Sequence, residues 1–569
     1  MTQGANDSQA RPLPRPSCWR PTLGVPALTL LVALFIVAGD NIAFWHQLGA
    51  VSHVGQIRGW QFTAATAVFL LAALSAMMSV FAFRFIYKPF LIGLLLVAAV
   101  IGYFMQTYGV VVDDTMITNT LDTDHAEAEG LFSLVLVWHI LWAGILPSAL
   151  VLWVRIRRRG FIAQTLVRLG FICLMLIIAV GAIGVQYKQF SLTLRQHREL
   201  RMYINPTYAI YSAFEVAQGQ AKAADHPLVV IGKDAKRTAA AKARDKRKVM
   251  ILVVGETTRA ADWGLNGYAR QTTPELARLN VLNFPDAHSC GTSTAVSVPC
   301  MFSARPRRDF DTDTAGYTEN LLDVLQRAGV GVRWEDNQAG GCKGVCDRVP
   351  TRNMRTMRIP GVCGDGHCLD GVFLHGLADR INNTHGDLLL VMHIMGSHGP
   401  AYYRRYPAGF RIYKPICESS RPQQCSRQEL VNSFDNTVRY LDHNLAAMIG
   451  VLKNQVPNAD TALLYLADHG ESLGEHGIYL HGFPYRFAPS VQTHVSEIAW
   501  LSPGFMKASD LSPACLTRQA TKKVSQDDIF STVMAMMDVN SGLYDPALDM
   551  FAPCRSGAPG QSPPTATAR

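Results

Sequence analysis

Cysteine is scarce in the first half of this 569-residue chain, where only Cys18 and Cys173 occur, while ten more lie between Cys290 and Cys554. The early two are read as free thiols without a role. An even set gathered in the second half is what disulfides in an oxidising compartment produce. A small-residue cleavage site is missing as well, and the first apolar stretch is too long for a removable signal peptide. Acidic residues are outnumbered 44 to 53 by Lys and Arg, for a net charge of +9. That surplus does not imply a nucleic-acid partner. Most basic residues flank apolar spans or sit in one linker, where a membrane accounts for them.

Apolar content is high, at 49% of residues, and the length calls for at least two domains. Apolar runs fall at 25–45, 60–83, 89–108, 131–154 and 166–187, each near the roughly 20 residues that cross a hydrocarbon core. Arg11, Arg15 and Arg20 precede the first, Arg84 and Lys88 follow the second, and Arg155, Arg157, Arg158 and Arg159 follow the fourth. These are cytoplasmic signals. Five spans with the N-terminus inside place the rest of the chain on the outer side, in agreement with the cysteines. The expected division is a tail at 1–22, a five-helix membrane domain at 23–188, a connector at 189–248 with a bridging helix and a basic linker, a catalytic domain at 249–556, and a disordered tail at 557–569. In the acidic loop between spans three and four, Asn119, Thr123 and Glu127 share one face of a helix, if the loop is helical. By periodicity alone a solvated face is the commoner meaning. The run 233–248 has no apolar face, and reads as a solvated linker or a segment touching anionic head groups.

From residue 249 the pattern changes. Apolar runs end in Gly255-Glu256-Thr257-Thr258, in His393 followed by Gly396-Ser397-His398-Gly399, and in Asp468-His469-Gly470-Glu471. Short runs of this kind are buried parallel strands, and ligands collect at their carboxyl ends. Glu256, Asp468 and His469 make a set suited to Zn²⁺. Ser289 to Ser303 is a hydroxyl-rich turn between two cysteines, and an oxygen from it would complete the shell and become a metal-activated nucleophile. Composition alone leaves Thr292, Ser293, Thr294 and Ser297 open.

These motifs, with Cys342-Lys343-Gly344-Val345-Cys346-Asp347, His398-Gly399-Pro400-Ala401-Tyr402 and the stretch from Asp468 to His481-Gly482, resemble the lipid A phosphoethanolamine transferases of the EptA and MCR type. The resemblance covers nearly the whole chain. It implies five membrane helices before a periplasmic α/β domain of the alkaline-phosphatase/sulfatase fold, in a multi-pass protein of the bacterial inner membrane acting as a monomer. It implies phosphatidylethanolamine as donor, a lipid A phosphate or other lipopolysaccharide as acceptor, and resistance to polymyxins as the consequence. Thr294 then matches the nucleophile and a zinc ligand, alongside Glu256, Asp468 and His469. His398 and His481 match positions that hold substrate phosphate or a second zinc, and Lys343 and Glu471 match the substrate pocket. Asn119, Thr123 and Glu127 match donor-lipid contacts. Gln338 and Ala339 depart from the pattern, standing where relatives often have Asn and Ser.

The cysteines admit a zinc knuckle built on Cys342, Cys346, Cys363 and Cys368 with His367. Outside the cytoplasm, the economical reading is instead the disulfides Cys290–Cys300, Cys342–Cys346, Cys363–Cys368, Cys417–Cys425 and Cys515–Cys554. Rival functions are transfer to a core sugar or periplasmic glycan, a phosphodiesterase of the same fold, and a metal-stabilised scaffold with no activity. A formylglycine sulfatase is argued against, because Ser297-Val298-Pro299-Cys300-Met301 lacks the arginine that class needs.

Overall fold

The computed structural model describes residues 20–52, 57–122, 128, 131–157, 159–338, 340–364 and 367–555. The chain forms two compact units: one of 1–103 with 134–206, the other of 104–133 with 207–569. The segment between spans three and four therefore belongs to the globular unit, whereas the sequence had placed all of 23–188 in the membrane part.

In the first unit, four helices are long and apolar enough to cross a membrane: Gly59–Val80, Tyr87–Tyr108, Leu134–Trp153 and Phe161–Val185. The expected first span is broken. Val25–Asp40 and Ile42–Ser52 meet at a 65° bend, and the buried Asn41 sits at the break. Its Nδ2 donates to the carbonyls of Ile36 and Asn205, at 2.9 and 2.8 Å, replacing bonds that the bend removes. Phe161–Val185 packs along Ile57–Val80, and Ala72, Ala76 and Ala179 lie in the buried seam. Phe171 and Met175 fill the seam beside these small residues, which let lipid-embedded helices pack side by side. Ile162, Leu166, Ile177 and Val180 point outward, as suits a hydrocarbon solvent.

The second unit is built on a seven-stranded sheet. In chain order its strands are β1 (Arg247–Gly255), β2 (Leu282–Asn283), β3 (Gly331–Asp336), β4 (Thr351–Asn353), β5 (Leu388–His393), β6 (Ala459–Ala467) and β7 (Glu497–Leu501). They lie in the order β2-β7-β6-β1-β5-β3-β4. The five from β6 to β4 are parallel, and β7 and β2 are antiparallel additions. Val249 to Val254 are wholly buried, because both faces of β1 are covered, which is why the strand reads as an unbroken apolar run. The long helix Arg427–Gln455 begins at a Ser426/Glu429 capping box and packs on β6.

The connector differs from its sequence reading. It holds a 19-residue helix, Thr207–Asp225, that periodicity had not picked out, after the shorter Tyr187–Gln196. Part of the basic linker is tied to the globular unit, while Lys233, Lys236, Lys242 and Lys246 stay exposed. Arg237 and Arg244 both pair with Asp387, and Lys248 is wholly buried, 2.9 Å from Asp538. These three charges are neutralised at the amino-terminal edge of the sheet. All five expected disulfides are formed, so Cys342, Cys346, Cys363 and Cys368 have no thiolates for a zinc knuckle.

Candidate active site

The carboxyl ends of β1 and β6 lie side by side, with Ala467 opposite Gly255. Glu256 follows the first and Asp468-His469 the second, all three wholly buried. Gly396 lets the loop after β5 close over Glu256. Its φ is +49°, and a Cβ there would stand 2.7 Å from the Glu256 carbonyl. Backbone N–H groups of Thr257 and His469 donate to Asp468 Oδ1 at 3.2 and 2.7 Å. His469 Nδ1 donates to the Gly470 carbonyl at 2.9 Å, which leaves Nε2 as a bare lone pair.

Thr294 opens the helix Thr294–Met301. Its hydroxyl donates to Glu256 Oε2 at 3.1 Å and lies 3.4 Å from His469 Nε2. The rival hydroxyls do other work or none. Thr292 Oγ1 donates to the Phe483 carbonyl at 2.7 Å. Ser293 and Ser297 are wholly buried, their hydroxyls without a hydrogen-bond partner among the described residues. The turn is tight at Gly291, where a Cβ would meet Ser297 Oγ and Val296 Cβ at 2.9 Å. The Cys290–Cys300 bond ties its two ends together.

The donor set fits a cation. Asp468 Oδ2 is buried, 3.4 Å from His469 Nε2, and accepts no hydrogen bond among the described residues. Glu256 Oε1 is 3.6 Å from the same nitrogen. Ligand atoms of Glu256, His469 and His481 lie within 4.8 Å of one another. Burial raises the Asp468 pKa, and burial with the facing His481 holds His469 well below the usual imidazole range. Two sequestered carboxylates around a neutral imidazole are costly unless a positive ion joins them. Cys290 and Cys342 also lie near acidic groups, but their sulfurs are spent in disulfides.

Around this centre, His481 Nδ1 donates to Glu471 Oε2 at 2.9 Å, and the Tyr402 hydroxyl donates to Glu471 Oε1. The His481 ring lies 4.2 Å from that of His469 and 5.8 Å from that of His398. Asn119 is on the helix Asp114–Asp122, which packs against Thr294–Met301. A Cβ on Gly482 would stand 3.9 Å from Asn119 Nδ2, so Asn119 is beside the His481 turn. Thr123 and Glu127 lie outside the described residues. Lys343 sits in the disulfide-closed turn after β3, with φ +52°. His393, the last residue of β5, has its Nδ1 3.3 Å from Asp336 Oδ2. The loop beyond β5 carries His398.

Gln526 and Arg259 had no role assigned from sequence, and Gln338 stood out only as a departure from the family pattern. Gln338 Nε2 donates to Glu256 Oε2, the oxygen that also receives the Thr294 hydroxyl. The buried Gln526 accepts from Cys290 N at 2.7 Å and donates to the carbonyls of Ala467 and Asp468, joining the nucleophile turn to β6. Arg259 donates to the Glu471 carbonyl at 3.1 Å and to Glu475 at 2.8 Å while pairing with Asp262. No short motif announces Gln526.

The phosphoethanolamine transferase EptA/EptB family model matches residues 70–221, and the sulfatase model matches 248–539. Phosphoethanolamine transferase EptA of Salmonella typhimurium is 39% identical over 94% of this chain and 98% of its own length. The chain belongs to the EptA and MCR type of phosphoethanolamine transferase. This transferase is also 38% identical to phosphatidylethanolamine transferase Mcr-2 of Escherichia coli, over 92% of the chain and 97% of the relative. The integral membrane lipooligosaccharide phosphoethanolamine transferase A of Neisseria meningitidis superposes with a TM-score of 0.91 at 35% identity. That match covers 94% of this chain and all of the other. The fold, α-helical membrane part plus sulfatase-like domain, is thus that of the family, in an integral membrane enzyme.

Proposed function

We propose that this transferase moves phosphoethanolamine from phosphatidylethanolamine to a lipid A phosphate in two steps, with Thr294 as the nucleophile of the first. The observation that carries the reading is the Thr294 hydroxyl, 3.1 Å from Glu256 and 3.4 Å from the bare nitrogen of His469 at a helix N-terminus. The donor follows the printed activity of Mcr-2, and the acceptor class that of the Neisseria protein. Glu256 orients the Thr294 oxygen toward the donor phosphorus. The new bond forms there as the bond to the diacylglycerol oxygen breaks, and that oxygen leaves with a proton. A lipid A phosphate oxygen then attacks the same phosphorus, and Thr294 departs and regains its proton. His398, His481 and Lys343 offset phosphate charge, and Glu471 fixes the His481 ring. Asn119, Thr123 and Glu127 are assigned to the donor lipid.

Glu256, Asp468, His469 and Thr294 would hold one zinc, with His398 and His481 left to the phosphate or to a second ion. Zinc bound there lowers the hydroxyl pKa and neutralises charge gathering on phosphoryl oxygens. The spans and disulfides support a globular unit on the periplasmic side of the inner membrane. An added amine lowers the negative charge of lipid A and weakens attraction of polymyxins. The test is mass spectrometry of the chain after incubation with labelled phosphatidylethanolamine. The expected result is a phosphoethanolamine adduct on Thr294, label passed on to lipid A, and neither with Thr294→Ala. Full transfer by that variant would refute the assignment.

A further inference from the structure

Asp370 is a buried carboxylate that the proposed transfer leaves without a role. It opens the short turn Asp370–Leu374, and three N–H groups converge on it. Its Oδ1 accepts from Asn337 Nδ2 and from Met395 N, each at 2.9 Å, and its Oδ2 accepts from Gly396 N at 2.8 Å. Accepting on both oxygens takes a carboxylate. An amide has one acceptor oxygen and would turn its NH2 toward one of these donors. Bonds to an ionised acceptor are about twice as strong as neutral ones, and burial strengthens them further.

The donors come from the two loops that flank Glu256. After β5 the main chain passes over Glu256, where Gly396 leaves no room for a Cβ and Ser397 N donates to the Glu256 carbonyl at 3.1 Å. After β3, Asn337 N donates to the His393 carbonyl at 2.9 Å, and the next residue, Gln338, donates to Glu256 Oε2. One loop holds the Glu256 main chain and the other its carboxylate. Asp370 bonds to both loops, and so acts on Glu256 through them.

We propose that Asp370 is a positioning residue for the transfer: it clamps the β3 and β5 loops together, so that Gln338 and Ser397 keep Glu256 where it orients Thr294. The proposal rests on the reading of Glu256 as the group that orients the nucleophile. Farther along the β5 loop there are separate tethers. Thr437 Oγ1 donates to Ser397 Oγ at 2.6 Å, and Arg405 Nε donates to the His398 carbonyl at 2.8 Å. Loosening the clamp therefore disturbs Glu256 more than the histidine assigned to the phosphate.

The test uses Asp370→Asn in the full chain in nanodiscs, with melting temperature as the folding control. Asn337→Ala, which removes one of the three donors, is read in its place if that variant fails to fold. The expected kcat for head-group transfer falls about tenfold, with the KM for phosphatidylethanolamine within about threefold of wild type. Amide hydrogen exchange over Ile394–His398 should quicken about tenfold, while β1 and β6 stay protected. Because Asp370 and Gln338 act on one carboxylate, their losses should overlap. The double variant with Gln338→Leu should lose about fivefold less kcat than the product of the two single losses. Wild-type kcat, a loss confined to KM, unchanged loop exchange, or losses that multiply would each overturn the proposal. Wild-type kcat in Glu256→Gln would instead sink the reading of Glu256. Loop exchange in Asp370→Asn then decides the clamp by itself: faster exchange supports it, and unchanged exchange refutes it.

Discussion

Replacing Gln338 by Leu removes one hydrogen bond from the carboxylate that orients the nucleophile while nearly preserving volume. Gln338 is buried, and its backbone N is held by Asp336 Oδ1 at 2.7 Å, so the side chain has little freedom to be anywhere else. Its amide and the Thr294 hydroxyl converge on Glu256 Oε2. A hydrogen bond to a buried charge is worth about 1.5–3 kcal/mol, which converts to a rate loss of about 10- to 150-fold if felt wholly in the transition state. The loss should fall on kcat, because the amide orients Glu256, and KM for donor and acceptor should hold steady. Gln338→Asn, one methylene shorter but still an amide, should keep more activity than Gln338→Leu. Initial rates of labelled head-group transfer by the full chain in detergent measure this. Wild-type kcat in Gln338→Leu, or a loss confined to KM, would show that Gln338 does not hold Glu256 in place.

Other outcomes follow from the same geometry. Opening the ten-residue Cys290–Cys300 link with paired Ala substitutions should cost about 3 kcal/mol of stability by loop entropy. Because that link anchors the Thr294 turn, activity should fall at temperatures well below the new melting point. Lys248 gives a pH dependence. Burial, partly countered by Asp538, lowers its pKa from 10.5 to about 8. The unfolded chain thus binds more protons between those values, so this residue's contribution to stability rises with pH across that window and is unfavourable by roughly 3 kcal/mol below it. Melting curves of wild type and Lys248→Met from pH 7.5 to 10 should shift relative to one another, wild type gaining; parallel curves would place the Lys248 pKa near its ordinary value. Chelation should abolish transfer and zinc should restore it, a loss that persists after zinc being the contrary result.

Much of the fold was legible because its signals are local. β1, β5 and β6 are buried on both faces, so their apolar runs and the polar residues just past them stand out in one dimension. The spans announce themselves through length alone, yet the break at Asn41 does not, since its partner Asn205 lies 164 residues away. In the linker at 233–248, Lys233, Lys236, Lys242 and Lys246 are exposed as a solvated run implies, but the pairing of Arg237, Arg244 and Lys248 with Asp387 and Asp538 was not legible, for the same reason.

The sequence by itself determined the family, the strand ends that carry Glu256, Asp468 and His469, and the local cysteine pairs, because each is written in contiguous residues. Only the tertiary structure decided how Thr294, which the resemblance had selected, meets Glu256 and His469, how His398 lies beside His481, and that Gln338 and Gln526 brace the site. It also decided that the outer-loop helix with Asn119 packs beside the nucleophile. Those relations join residues tens to hundreds of positions apart, and a hydrogen bond or a buried carboxylate gets its partner from packing, which no spacing along the chain encodes.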